Sequence, residues 1–249
     1  MNAGSPRLRQ RVVAPGDPPR PAEGLGDDEV SVWLAEPAAW RAREDHQRLL
    51  ALLSGEEHDR LERFRFEEDR GAFLLAHGLL RIALSRHAAV SPEAWTFRVG
   101  VYGQPSIATP VTGLRFSLSH TRGLVACAVT ERRALGIDVE AAARPAPMEV
   151  AERCFTPGER HDIGAAAPSD RARRFFEYWT LKEAYAKARG LGLWLPFDRF
   201  EFRREAGEAW RVIALDPQPA DDGDWWFRAW STPMHQAALA LGTRAIERT

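Results

Sequence analysis

The order in which two hydrophobic periods alternate along this chain leaves few folds open. Glu67 to Ala88 ("EEDRGAFLLAHGLLRIALSRHA") spaces Phe73, Leu74, Leu80, Ile82 and Leu84 as an amphipathic helix does. After Ser91-Pro92 the texture changes to short, Val-rich alternating runs. "WTFRV" (Trp95 to Val99), "LRFSLS" (Leu114 to Ser119), "LVACAVT" (Leu124 to Thr130) and "LGIDVE" (Leu135 to Glu140) read as strands broken by Gly and Pro. A second long helix then runs to Gly190, with Ser169 as its expected cap, and strands return at Phe200–Phe202, Trp210–Ala214, Trp225–Ser231 and Gln236–Leu241. "EVSVWLAE" (Glu29 to Glu36) supplies an earlier strand. "SGEE" at Ser54 and "TPGE" at Thr156 have the spacing of capping boxes that open short helices. Strand, helices, strands, then helices and strands again predicts an α+β fold rather than regular βαβ units.

Composition excludes several classes. At 249 residues the chain is one large domain or two small ones, and 45% hydrophobic residues suffice for a packed core. A net charge of -1 gives no global field toward nucleic acid or membrane. No run approaches the roughly 20 apolar residues needed to span a bilayer, and no apolar stretch follows the early arginines as in a secretory signal. Cys127 and Cys154 form neither a disulfide framework nor a metal-spaced set, so a cytoplasmic protein with two inert thiols is expected. Residues 1–27 hold five of the 17 prolines and read as a disordered arm.

The chemistry gathers late in the sequence. Of 34 basic residues all but two are arginine, and both lysines, Lys182 and Lys187, lie in "FFEYWTLKEAYAKARG". A drift toward Arg spares lysine where a compact ammonium is needed and a planar fork is not tolerated. On that helix Phe176, Thr180, Glu183 and Lys187 share one stripe. Asp138 and Glu140, two apart on a strand, point to the same face and repel unless a cation lies between them. A third carboxylate from Glu183 facing them makes a hard-cation site of the kind that holds Mg²⁺ against a phosphate ester. The plainer alternatives are an acidic strand end and an i,i+4 Glu–Lys pair. Ser119, His120 and Arg122 at a strand end suit a phosphate, or an ordinary surface turn.

Taken in order, "GQPSI" (Gly103 to Ile107), "FSLSH" (Phe116 to His120), "GIDVE" (Gly136 to Glu140) and "WTLKEAYAKARGLGL" (Trp179 to Leu193) resemble the successive motifs of the Sfp-type 4′-phosphopantetheinyl transferases. "RFRFEEDRGAFLLAHGLLR" (Arg63 to Arg81) is similar to that family's N-terminal helical motif. The resemblance implies two similar, pseudo-twofold-related α/β halves, about 28–133 and 134–249, with coenzyme A in a cleft between them. It implies transfer of the phosphopantetheine arm of coenzyme A to a serine of an apo acyl, peptidyl or aryl carrier protein, with release of 3′,5′-ADP; two complete halves would make a monomer sufficient, and no nucleic acid or membrane partner is expected. Mg²⁺ would be held by Asp138, Glu140 and Glu183. Glu183 and Lys187 would be catalytic, and Arg60, Arg70, Gln104, Ser119, His120, Lys182 and Lys187 would contact coenzyme A. Gln104 stands where the family's G-K-P loop carries lysine. The segment Ala141 to Phe155, with Met148, Val150 and Phe155 among arginines, is expected either to receive the acidic carrier or to pack as core. The competing chemistry is a metal-dependent pyrophosphatase that uses water in place of the serine.

Overall fold

A computed structural model describes residues 6–15, 22–205, 209–215 and 224–242. The chain forms two compact units, Met1–Arg132 and Arg133–Thr249.

In the N-terminal unit, strands β1 (Arg7–Val12) and β2 (Glu29–Ala35) precede two short helices, α1 (Arg43–Leu50) and α2 (Gly55–Glu62). The long helix α3 (Glu67–His87) follows, then a hairpin of β3 (Thr96–Val99) and β4 (Pro105–Thr109), then β5 (Leu114–Thr121) and β6 (Leu124–Glu131). The main sheet has the order β1-β2-β6-β5, with β1 parallel to β2 and the other neighbours antiparallel. Period-two alternation sends Val125, Cys127 and Val129 of β6 into the cluster formed with Leu75, Leu79 and Leu84 of α3. Each such fully buried leucine contributes about 1.5–3 kcal/mol of transfer free energy. Cys127 lies at the centre of that sheet, and burial drives its thiol well above the usual range.

The C-terminal unit opens with β7 (Leu135–Ala141), followed by short helices α4 (Met148–Cys154) and α5 (Pro157–Ala165) and the long helix α6 (Arg171–Ala188). A hairpin of β8 (Phe200–Arg204) and β9 (Trp210–Ala214) precedes β10 (Trp225–Ser231) and β11 (His235–Gly242). The sheet order is β10-β11-β7, all antiparallel. Helix α6 packs on it through Ala184 and Tyr185, against Ala238, Ala240 and Phe227. The helix ends at Gly190, whose φ of 64° favours glycine. Gly190 N–H donates to Lys187 O and Leu191 N–H to Ala186 O.

Apart from β1, the two units share one order of elements: strand, two short helices, long helix, hairpin, two strands. In each main sheet the last strand lies between the first and the penultimate one. Both predicted capping boxes are present, at Ser54/Glu57 and Thr156/Glu159.

Two expectations are corrected and one open alternative is decided. Residues 7–12, placed by composition in a disordered arm, form β1, and Val13 and Leu25 enter the core; positions 1–5 and 16–21 of that arm lie outside the described residues. The strand is held by Arg9–Glu29 at 2.7 Å and Arg11–Glu23 at 3.2 Å, charge pairs that proline content does not reveal. Helix α6 starts after Asp170 with no side-chain cap, so Ser169 does not cap it. Phe155 packs inside, 5.1 Å ring to ring from Phe175, so only Met148 of the three expected docking residues is exposed; Val150 is half-buried. Among the described residues no helix is long and apolar enough to cross a membrane.

Candidate functional site

The acidic strand and the lysine helix meet because of one glycine. A Cβ at Gly136 would stand 1.8 Å from Ala184 O and 2.6 Å from Ala188 N, so only glycine lets β7 lie this close to α6. Alternation then aims Asp138 and Glu140 at the same helix. Running along β7, Gly136 meets Ala184 and Ala188, Asp138 meets Lys187, and Glu140 meets Trp179. The predicted pairing of the two carboxylates on one face, opposite the lysine helix, is what the structure contains.

Lys187 donates to Asp138 Oδ1 at 2.7 Å and to Ile137 O at 3.1 Å, and its side chain keeps 26% of its surface exposed. Trp179 Nε1 donates to Glu140 Oε1 at 3.1 Å, and Arg144 donates to Glu140 Oε2 at 3.1 Å. Burial and the nearby charge of Asp138 push the Glu140 carboxyl up, against the pull of Arg144 and Trp179. Burial, then the charges of Asp138 and Glu140, push Glu183 up to about 7 in spite of Lys187. Each of the three carboxylates thus acts electrostatically on at least one other, and Glu183 responds to both strand acids.

Among the described residues no group of three His, Cys, Asp or Glu side chains is gathered into a metal-holding cluster. Here protein donors engage the strand acids instead. The donor set still fits Mg²⁺, which takes oxygen ligands only and usually completes its shell with waters and substrate phosphates rather than with a closed protein cage. Three mutually repelling carboxylates are that kind of set.

Lys182 requires a correction. It is fully buried, and its ammonium donates to Glu159 Oε2 at 2.9 Å, Phe197 O at 2.6 Å and Phe200 O at 2.7 Å. All three of its hydrogens are committed inside the unit, leaving none for coenzyme A. Burial penalises both charges of this pair, pushing Lys182 down and Glu159 up. Glu159, the third helical residue of the capping box, also accepts from Thr156 N–H and Phe202 N–H at 2.9 Å each.

The remaining candidates belong to the N-terminal unit. Ser119 and His120 end β5, Ser119 buried and His120 exposed. Gln104 closes the β3–β4 turn, its carbonyl accepting from Gly100 N–H at 2.8 Å. Arg60 lies over the Phe73 ring at 5.2 Å, and Arg70 sits 3.7 Å from Glu67 as an exposed i,i+3 pair. Sequence reasoning missed Gly136, Trp179 and Arg144 as parts of the site. Gly136 and Trp179 were visible as motif letters without a physical role; nothing local marks Arg144.

Comparison with known proteins agrees with this layout. Residues 134–241 match the 4′-phosphopantetheinyl transferase superfamily. Residues 38–132 match a separate family described as 4′-phosphopantetheinyl transferase, N-terminal. The 4′-phosphopantetheinyl transferase HetI of Nostoc sp. strain PCC 7120 is 36% identical over 214 residues, 80% of this chain and 88% of that protein. A 4′-phosphopantetheinyl transferase of Bacillus subtilis is 32% identical over 159 residues, 64% of this chain and 70% of that one. A holo-(acyl-carrier-protein) synthase of Bacillus anthracis, solved in complex with CoA (3′,5′-ADP), aligns at 21% identity with a TM-score of 0.39, covering 44% of this chain and 94% of that chain. Both units are matched in order, and the acidic-strand and lysine-helix motifs fall where β7 meets α6: the chain belongs to the 4′-phosphopantetheinyl transferase superfamily.

Proposed function

We propose that this protein transfers the 4′-phosphopantetheine arm of coenzyme A to a serine hydroxyl of an apo carrier protein, with Mg²⁺ held by Asp138, Glu140 and Glu183. The observation that carries the proposal is the close approach of β7 to α6 at Gly136, which sets two strand carboxylates against Glu183 and Lys187. In the reaction the serine Oγ–P bond forms and the pyrophosphate P–O bond to 3′,5′-ADP breaks. Glu183, at the meeting of the two segments, takes the serine proton directly or through a water. Lys187 turns from Asp138 to the phosphate oxygen on which charge develops, and its compact ammonium fits a crowded phosphate better than a guanidinium. The bound Mg²⁺ would supply Lewis-acid neutralisation of the pyrophosphate.

Ser119, His120, Gln104, Arg60 and Arg70 are the proposed contacts to coenzyme A from the N-terminal unit, and Lys182 is left out of that set. The partners are acyl, peptidyl or aryl carrier domains, and the setting is cytoplasmic. Family membership favours transfer to a carrier over hydrolysis by water.

The test is incubation with coenzyme A, Mg²⁺ and a panel of apo carrier domains, read by intact mass. The wild type should add one phosphopantetheine, and Asp138→Ala should lower the rate at least about 100-fold. Undiminished transfer by Asp138→Ala at saturating coenzyme A, or release of 3′,5′-ADP with no carrier present, would remove the proposal.

A further inference from the structure

Glu140 is held by two donors of different character. Trp179 is half-buried and packed among rings: it lies 5.8 Å from Phe197 and stacks on Phe175 at 6.3 Å, contacts that hold its N–H toward Oε1. Arg144 follows the end of β7 by three residues and is half exposed, with its guanidinium 4.8 Å over the Phe176 ring. It gives Oε2 one contact from one nitrogen rather than a bidentate fork, in a solvent-screened position. The groups acting on Glu140 are Asp138 beside it on β7, Trp179 on α6 and Arg144 itself, and Glu183 of α6 feels its charge.

We infer that Arg144 is a displaceable counter-ion, occupying one oxygen of Glu140 until a divalent cation takes it, while Trp179 is a positioning residue that keeps the other oxygen oriented. The inference rests on the proposed metal set. A cation on a half-exposed side chain neutralises Glu140 while the ion is absent, and it leaves without disturbing the core. The Phe176 ring, 4.8 Å from the guanidinium, remains as a face on which the released head can rest. The fixed indole N–H, in contrast, limits the rotamers open to Glu140, so the carboxylate loses little freedom when the ion arrives.

Opposite signs are expected for the two donors. Mn²⁺ binding to the full-length protein, with and without coenzyme A, is counted by the loss of the free-ion electron paramagnetic resonance signal. Arg144→Met puts an unbranched apolar side chain beside Phe176 and removes the competing charge; it should tighten Mn²⁺ binding by roughly two- to fivefold, the range set by a screened ion pair. Arg144→Gln should tighten it less, because an amide still donates. Trp179→Phe keeps the ring and removes only the N–H; it should weaken binding by about tenfold, as loss of a metal ligand's own support does. Wild-type circular dichroism spectra for the three variants establish that they fold. If wild type binds Mn²⁺ and Arg144→Met binds it equally or more weakly, the displacement is wrong and the metal set stands. If wild type binds no Mn²⁺ in either condition, both readings fall.

Discussion

The two units solve the same packing problem with different first strands. In the N-terminal unit the row of β2 that faces α3 is Ser31, Trp33 and Ala35, and the Trp33 ring reaches His87 of α3 at 6.2 Å. In the C-terminal unit the row of β7 that faces α6 is Gly136, Asp138 and Glu140. One helix–sheet interface holds an indole; its counterpart admits only a hydrogen atom and then fills with carboxylates. The order of elements from β2 onward is common to both, but the proposed chemistry lies in the unit whose strand gives up apolar burial on that row. Each unit also anchors its long helix to a capping-box glutamate, with a different cation. Arg81 forks onto both oxygens of Glu57, at 3.2 and 2.7 Å, whereas Lys182 spreads one ammonium over Glu159 and two carbonyls. Three acceptors around one point require a tetrahedral donor; a planar fork suits one carboxylate. The two lysines are thus kept for separate reasons, one for packing and one at the site.

The sharpest way to break this comparison is to enlarge the narrow interface. Gly136→Val drives carbon into Ala184 O and Ala188 N, which are backbone and cannot yield. It should destabilise the protein by more than about 3 kcal/mol, while Trp33→Phe on the matching row of β2 should cost about 1 kcal/mol. Urea titration that found the two variants equally stable would end the distinction. Next in size, Lys182→Met strands the buried Glu159 carboxylate and should cost about 3–5 kcal/mol. Arg81→Met should cost less, because the Glu57 side chain is 13% exposed and keeps His77 at 2.6 Å. Lys182→Arg should remain strongly destabilising where Arg81→Lys is mild, and melting temperatures rank the four.

The smallest effect is a pH dependence carried by Glu57. Burial alone would raise its carboxyl; hydrogen bonds from His77 and Ser54 N–H, with the charges of His77 and Arg81, outweigh that and lower it to about 2. A depressed carboxyl stabilises the fold above its unfolded value, 4.5, and the contribution is lost as pH falls toward 2. The amount is roughly 3 kcal/mol or less. Glu57→Gln should flatten the stability profile between pH 5 and 2, and Glu159, shifted the other way, should not reproduce that slope.

Much of this was legible from local pattern. The capping boxes, the long helices and the shared face of Asp138 and Glu140 follow from spacing alone, because each is settled within one turn or one strand. What escaped depends on contacts far apart in sequence. Lys182 looks like a ligand until Phe197 and Phe200 are seen to return beneath it. Gly136 reads as a motif letter until α6 is placed across it, 48 residues on at Ala184. Strand β1 was hidden because its arginines suggest solvation, and only Glu23 and Glu29 show what they pair with.

That last strand has a consequence of its own. Strand β2 is buried along nearly its whole length, and bare it would offer an apolar ladder of unpaired amides to any other chain. Strand β1 occupies that ladder and presents Arg7, Arg9 and Arg11 at the new boundary. Arg9 and Arg11 are matched there by Glu29 and Glu23, so the outermost strand of that sheet is a charged, salt-bridged one in place of the apolar β2.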